Sequence, residues 1–383
     1  MKLFKKLVIL SITLTFLLVN VPHKADAAIS VSASSAILME QESGRVLYGK
    51  EANTKRRIAS ITKIMTAILA IESDKLDEMV KVSGNAIRAE GSSIYLQEGE
   101  KIKLEDLVYG LMLRSGNDAA VAIAEHIGGS LEGFVFLMNQ KAEEIGMINT
   151  HFENPHGLDD HENHYSTAYD MAILTRYAME NEMYKKISGT KVHKAPNPNE
   201  SWDRVWNNKN RLLTQLYDHT TGGKTGYTKR AKRTLVTTAE KDGLELIAVT
   251  LNGPDDWNDH IQMYETAFKT YEPVEILSEG SIEEADEGIY KNKIYLKGHY
   301  SYPATAEEKE NFKVEYQLIT PKDGWEESAD IPDVVGKAIV YLNNEQIKTM
   351  PIYFEKEQEL EEKSFFDKFR SIFSFIVGVK QDG

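Results

Sequence analysis

Three short patterns in this chain group side chains that could move a proton and open an acyl bond. They are Ser60-Ile61-Thr62-Lys63, Ser115-Gly116-Asn117 and Lys224-Thr225-Gly226. A serine hydroxyl is a weak nucleophile until a base takes its proton, and a neutral amine can be that base. Residues three apart on a helix project from one face, so Ser60 and Lys63 are expected to meet. The positive end of a helix dipole and desolvation in a cleft both push an amine toward neutrality. A lysine buried on an otherwise apolar helix is costly unless it is used. Ser115 offers a hydroxyl able to relay a proton, and Asn117 an amide able to hold a peptide carbonyl. Plain capping of the next helix by Asn117 or Asp118 is the competing reading, and both can hold together. Lys224 and Thr225 suit a terminal carboxylate, and Gly226 lets a ligand come close to the backbone.

Each pattern is weak alone. The first recurs at Ser188 and Lys191, in a polar stretch, and the second at Ser83-Gly84-Asn85. The settings separate the copies. Ser60 to Ile71 reads as a helix, with Ile61, Ile64, Met65, Ile68 and Leu69 at helical spacing. Leu104 to Arg114 and Ala119 to Ile127 read as apolar helices on either side of Ser115-Gly116-Asn117-Asp118, and Gly128-Gly129 stops the second. Interrupted there, the side chains of that segment can leave the helical layer and reach a cleft. Thr167 to Met179 is a further helix. Ser35 to Glu40 and Arg45 to Lys50 are strands around Glu42-Ser43-Gly44, and Thr234 to Glu240 and Leu244 to Leu251 form a hairpin turned by Asp242-Gly243. Lys224-Thr225-Gly226 leads into that hairpin and is expected on an exposed strand, whose edge can pair with an extended peptide.

The surrounding chain narrows the class of protein. Residues 1–27 carry Lys2, Lys5 and Lys6, an apolar run from Leu7 to Val21, and Ala25-Asp26-Ala27, the form of a cleaved signal peptide. The chain beyond residue 27 is long enough for a large domain, residues 28–271, and a smaller one. Past Glu272-Pro273 the alternation turns short and strand-like, as in Lys293 to Lys297, Phe312 to Ile319 and Lys337 to Leu342, which suggests a small β domain over residues 272–354. An acidic linker over 355–363 then leads to residues 364–383. There Phe365, Phe366, Phe369, Ile372, Phe373 and Ile376 share one helical face, as in a helix lying in a membrane interface. The chain has no cysteine, which excludes thiol catalysis, thiolate metal sites and disulfides. Its formal net charge is −14, and no basic face for nucleic acid is visible. His151, His156, His161 and His164 cluster near Asp159 and Asp160, yet zinc spacing signatures are absent.

The three patterns in this order are those of β-lactamases and penicillin-binding proteins. With Asn154-Pro155-His156-Gly157-Leu158 and Tyr165-Ser166-Thr167-Ala168-Tyr169-Asp170-Met171-Ala172, the chain resembles the low-molecular-mass penicillin-binding proteins of the serine D-Ala-D-Ala carboxypeptidase family. Within that family it is most similar to the sporulation-specific carboxypeptidases of endospore formers, which act on cortex peptidoglycan. The resemblance runs from about Ala28 to the C-terminus. It implies an α/β (α+β) fold, an antiparallel sheet flanked by helices, followed by a small all-β domain. It further implies Ser60 as the acyl-ester nucleophile on the penultimate D-alanine carbonyl, Lys63 as proton acceptor, Ser115 as proton relay, and Asn117 holding the substrate amide. Lys224 and Thr225 would engage the terminal carboxylate, Gly226 and Tyr227 would also bind substrate, and backbone N–H groups of Ser60 and Tyr227 would form the oxyanion hole. The implied partners are the peptidoglycan pentapeptide, β-lactams as covalent inhibitors, and the outer face of the cytoplasmic or forespore-enclosing membrane. No cofactor is implied. Where the family often carries an arginine beyond the hairpin, this chain reads Trp257-Asn258-Asp259-His260. Two rival readings remain, a β-lactamase using Glu153 and a non-catalytic wall-binding penicillin sensor.

Overall fold

The computed structural model describes residues 29–283, 288–322, 325 and 330–356. The expected signal peptide and membrane helix, and residues 357–363 of the linker, lie outside the described residues. The chain divides into two compact units. The first runs to Val274 and takes back Tyr302–Ala306, and the second holds Glu275–Ser301 and the chain from Glu307 onward.

The first unit is built on a five-stranded antiparallel sheet of β1 (Ser35–Glu40), β2 (Val46–Lys50), β3 (Thr220–Thr228), β4 (Lys232–Lys241) and β5 (Leu244–Leu251), in the spatial order β2-β1-β5-β4-β3. β1 and β5 are apolar almost throughout because both of their faces are covered. Ile37, Met39, Ile247, Val249 and Leu251 point into the main core, while Ala36, Leu38, Leu246 and Ala248 point into a smaller core on the other face. Alternate residues of a strand face opposite sides, so one run of sequence serves two layers. β4 and β5 are joined by Asp242-Gly243, both at positive φ, with Lys241 opposite Leu244. That is the two-residue turn such a dipeptide favours.

Seven α-helices of the first unit frame the site: α1 (Lys63–Ile71), α2 (Leu104–Tyr109), α3 (Asn117–Gly128), α4 (Leu131–Glu144), α5 (Ala168–Met179), α6 (Glu182–Ser188) and α7 (Asp256–Thr270). Helices α1 to α6 supply side chains to the main core, and Met263, Tyr264 and Ala267 of α7 fill the smaller one. Two expected helices are regular only in part. Ala59–Thr62 forms a 3₁₀ turn before α1, and Gly110–Arg114 widens into a π-helical turn after α2. Both irregular turns adjoin chemistry-bearing residues, and such departures concentrate at functional positions. Sequence periodicity does not point to α4, α6 or α7. α7 buries the stripe Asp256, Asp259, His260, Met263, Tyr264 and Ala267, half of it polar side chains, on an otherwise polar helix.

The second unit carries a five-stranded antiparallel sheet from Gly280–Ser281, Ile294–Leu296, Phe312–Leu318, Val334–Leu342 and Glu345–Phe354. Three of its strands fall where the sequence places short alternation, and Gly280–Ser281 and Glu345–Phe354 are added.

Candidate active site

Ser60 sits in the turn that leads into α1, and Lys63 is the first residue of that helix. Ala59 is held at φ +48, a conformation that strains any side chain bearing Cβ. Gly157 packs on this turn. Itself at φ +84, it lies so close that an added Cβ would overlap the Ala59 carbonyl oxygen. Only glycine allows that approach.

Lys63 is fully buried and surrounded by acceptors. Its Nζ lies 2.9 Å from Ser60 Oγ, 2.7 Å from Asn117 Oδ1 and 2.8 Å from the His156 carbonyl. A neutral amine has two N–H groups and one lone pair. The two carbonyl oxygens can accept only N–H, so the lone pair is left to the Ser60 hydroxyl. Burial, followed by the positive charges of Lys224 and Lys209, holds the Lys63 amine well below the ordinary lysine range, against the opposing influence of Asp118. This is the electrostatic state a base requires.

Ser115 follows the π-helical turn at φ +65 and is buried. It accepts a hydrogen bond from Lys224 Nζ at 3.2 Å, and the same ammonium reaches the Thr225 carbonyl at 2.7 Å. Burial, with Lys209 adding to it, pushes the Lys224 amine down to about 7. Asn117 begins α3 and donates through Nδ2 to the Glu90 carbonyl at 2.5 Å. Asp118 accepts N–H bonds from Ala119, Ile94 and Leu96 and the hydroxyl of Ser93, tying the 93–96 segment to the start of α3. The N-cap of α3 is Gly116, with no side-chain cap bond, so the expected capping by Asn117 or Asp118 is not what the structure shows. Asn117 serves Lys63, and Asp118, in the first turn, fixes the 93–96 segment.

Lys224, Thr225, Gly226 and Tyr227 lie on β3, the sheet edge, paired with Val236, Leu235, Thr234 and Arg233 of β4. An added Cβ at Gly226 would be 2.9 Å from Ser60 N, so β3 runs in contact with the Ser60 backbone. Ser60, Ser115, Thr225, Gly226 and Tyr227 together line a cavity of about 310 Å³. Lys63, Asn117 and Lys224 stand behind that surface and reach it through Ser60 and Ser115. A larger cavity, about 650 Å³, lies in the second unit among Lys293, Tyr295, Lys297 and Tyr353, with no serine among its lining residues.

Beside Ser92 and Thr234, the cleft is lined by Lys209, Arg233, Asp256 and Trp257, none of which the sequence patterns assign to the site. Arg233 bonds Asp256 Oδ1 through Nε at 3.0 Å and lies 5.3 Å above the Trp257 ring. These residues come from three separate stretches of chain, and no local motif joins them. His260 is turned away from the cleft, buried between Thr237 and Thr250 hydroxyls, its imidazole pushed down to about 3 by burial. His156 enters the site by its carbonyl rather than its ring, which accepts the Leu158 N–H. His164 accepts the Glu153 N–H at Nδ1 and so presents Nε2–H to Thr62. Among the described residues no cluster suited to a metal ion is present. Glu153 accepts the Asn163 N–H and approaches His161, and it does not line the cavity. Of the repeated patterns, Ser83 and Asn85 bind Glu125, and Ser188 ends α6 with its hydroxyl on the Lys185 carbonyl.

Comparison with known proteins places this arrangement. Residues 21–255 match the S11 peptidase profile, D-alanyl-D-alanine carboxypeptidase, and residues 271–360 match the C-terminal domain of penicillin-binding protein 5. The chain is 40% identical over 258 residues to the D-alanyl-D-alanine carboxypeptidase DacF of Bacillus subtilis, a match spanning 65% of each chain. It is 34% identical over 268 residues to DacC of Escherichia coli, covering 64% of this chain and 63% of that one. The fold is similar to penicillin binding protein 5 from Haemophilus influenzae (TM-score 0.68, 26% identity, 86% of this chain and 98% of that one). It is also similar to DacD from Francisella tularensis (TM-score 0.65, 28% identity, 87% and 95%). By its sequence and its fold, the chain belongs to the S11 family of D-alanyl-D-alanine carboxypeptidases.

Proposed function

We propose that this protein removes the terminal D-alanine from peptidoglycan stem peptides through an acyl-enzyme on Ser60. The observation that carries the reading is the buried Lys63 amine, its two carbonyl acceptors leaving its lone pair to the Ser60 hydroxyl. The substrate backbone lies along β3. Lys63 takes the Ser60 proton as Oγ bonds to the carbonyl carbon of the penultimate D-alanine. N–H groups of Ser60 and Tyr227 meet the developing oxyanion, a type of contact contributing about 3 kcal/mol per donor. The proton passes through Ser115 to the nitrogen of the departing D-alanine as the C–N bond breaks. Water, deprotonated by Lys63, then opens the ester. The terminal carboxylate is met by Thr225 and attracted by Lys224 behind it, with Lys209 and Arg233 as cations that line the cleft. His260, buried behind the sheet, takes no part.

Incubation of residues 28–383 with a peptide ending in D-Ala-D-Ala should release free D-alanine, and the Ser60→Ala variant should release none. Equal release by both would overturn the reading and leave the penicillin sensor as the better account. The position of Glu153, bonded to the Asn163 N–H and not lining the cleft, disfavours a β-lactamase that would use it. A penicilloyl adduct lasting minutes or longer is expected; rapid turnover would favour that rival.

Export, penicillin sensitivity, anchoring by residues 364–383 and a role in spore cortex maturation complete the proposal. The leader pattern, the apolar face of the C-terminal segment and the motif resemblance support them. Altered cortex cross-linking in spores lacking the gene is expected, and an unchanged muropeptide profile would contradict the cortex role.

A further inference from the structure

A second groove, about 390 Å³, borders the cleft and has no part in the chemistry described. The two are adjacent along the chain. Ser92 and Ser115 line the cleft, while Ser93 and Arg114 line the groove. The Ser92 carbonyl accepts the Asn117 N–H at 2.7 Å, so this border is fixed to the catalytic frame.

The groove's make-up is unusual for a solvated surface. Tyr95 stands 83% exposed at φ +62, although a bulky residue in the left-handed region is strained. Asp118 maintains that strain by accepting the N–H groups on either side, of Ile94 and Leu96, while the Tyr95 N–H donates to Ser93 Oγ. Trp202, also lining the groove, is 60% exposed. Beneath lies Trp206, buried against His193, which stacks on Tyr109 at 3.7 Å and bonds Asp106. Arg204 is only 6% exposed and joins Glu100 through Nη2 at 2.8 Å, yet among the described residues its Nη1 has no hydrogen-bond partner. Glu100 Oε1, its counterpart in the same ion pair, is likewise unpartnered, and both atoms are closed off from solvent beneath the groove that Arg204 lines.

Exposed aromatic side chains, with Gln97, Arg114, Asn197 and Asn207 in the same lining, suit a ligand that combines an apolar ring face with polar substituents. We infer that this groove is a sugar subsite. An N-acetylated hexosamine of the wall glycan would lie with its C–H face on Tyr95 and Trp202 and its polar substituents toward Arg114, Asn197 and Asn207, which line the same groove. The inference rests on the proposed peptidoglycan substrate and extends it from the stem peptide to the glycan.

The test uses residues 28–383 carrying Ser60→Ala, titrated with the N-acetylglucosamine–N-acetylmuramic acid disaccharide free of peptide, with tryptophan fluorescence as the readout. Saturable quenching is expected, with affinity lost by about tenfold or more in Tyr95→Ala and Trp202→Ala. This arm needs no turnover, so it stands even if D-alanine is never released. In the Ser60 enzyme the same substitutions should lower kcat/KM about tenfold on a disaccharide-pentapeptide while leaving the free pentapeptide and penicillin acylation unchanged. Absence of disaccharide binding, or equal binding by the variants, would overturn the subsite. So would an equal loss on the free pentapeptide, which would make the groove a peptide site.

Discussion

At position 63 an ammonium and an amine would make different demands on the same three neighbours. Two of those neighbours accept only, so the neutral form alone can offer Ser60 a lone pair. Lys224 has the opposite task, because its attraction for a carboxylate needs the charged form. The two requirements predict a bell-shaped dependence of kcat/KM on pH. Lys63 is depressed below the ordinary range, so acylation is full above its folded pKa and is lost as pH falls through it. Lys224 sits at about 7, so carboxylate attraction is lost as pH rises through that value. A substrate ending in D-alaninamide should therefore lose the alkaline limb and keep the acid one. Identical alkaline limbs for acid and amide would contradict the role given to Lys224. The types and spacing of Ser60, Lys63, Ser115, Asn117 and Lys224 were readable because each pattern is short and local. Lys209, Arg233, Asp256 and Trp257 were not, because only the folded chain brings them to one cleft.

The elements position these groups by departing from regularity where chemistry is needed. Ala59 strains the turn before α1, and the π-helical turn after α2 delivers Ser115 at positive φ. Apolar spacing showed both helices but not these turns, since a period is a property of many residues and a strained turn of one or two. Gly157 is the device that locks the nucleophile's turn from the opposite side. Gly157→Ala should displace the Ala59 carbonyl, at a cost of about 1–3 kcal/mol for the strain. Penicillin acylation should slow by about tenfold or more while the circular dichroism spectrum is kept. A wild-type acylation rate in that variant would show that the turn tolerates the shift. β3 was expected on an exposed strand, and its place at the sheet edge follows from hairpin pairing. α7 escaped notice because the first turns of its buried stripe are polar residues, Asp256, Asp259 and His260, rather than an apolar run.

For the whole molecule, the change in sequence grammar near Glu272 coincides with a change from a helix-covered sheet to a separate five-stranded unit. That shift was legible because helical and strand periods differ over whole segments. What covers the aromatic groove beside the cleft was not, since Tyr95, Trp202 and Arg204 meet only in three dimensions. The anchoring proposal belongs to this scale. A chain ending at Lys363 should move from the membrane fraction to the soluble one while its D-alanine release stays the same. Retention on membranes would assign residues 364–383 another role.

The most direct test compares the wild type and Lys63→Ala with penicillin, following the covalent adduct by intact mass and locating it by peptide mapping. The adduct should map to Ser60 and form about 10²–10⁴-fold faster in the wild type, the usual contribution of a positioned base. An adduct on another residue, or equal rates in the two proteins, would contradict the account.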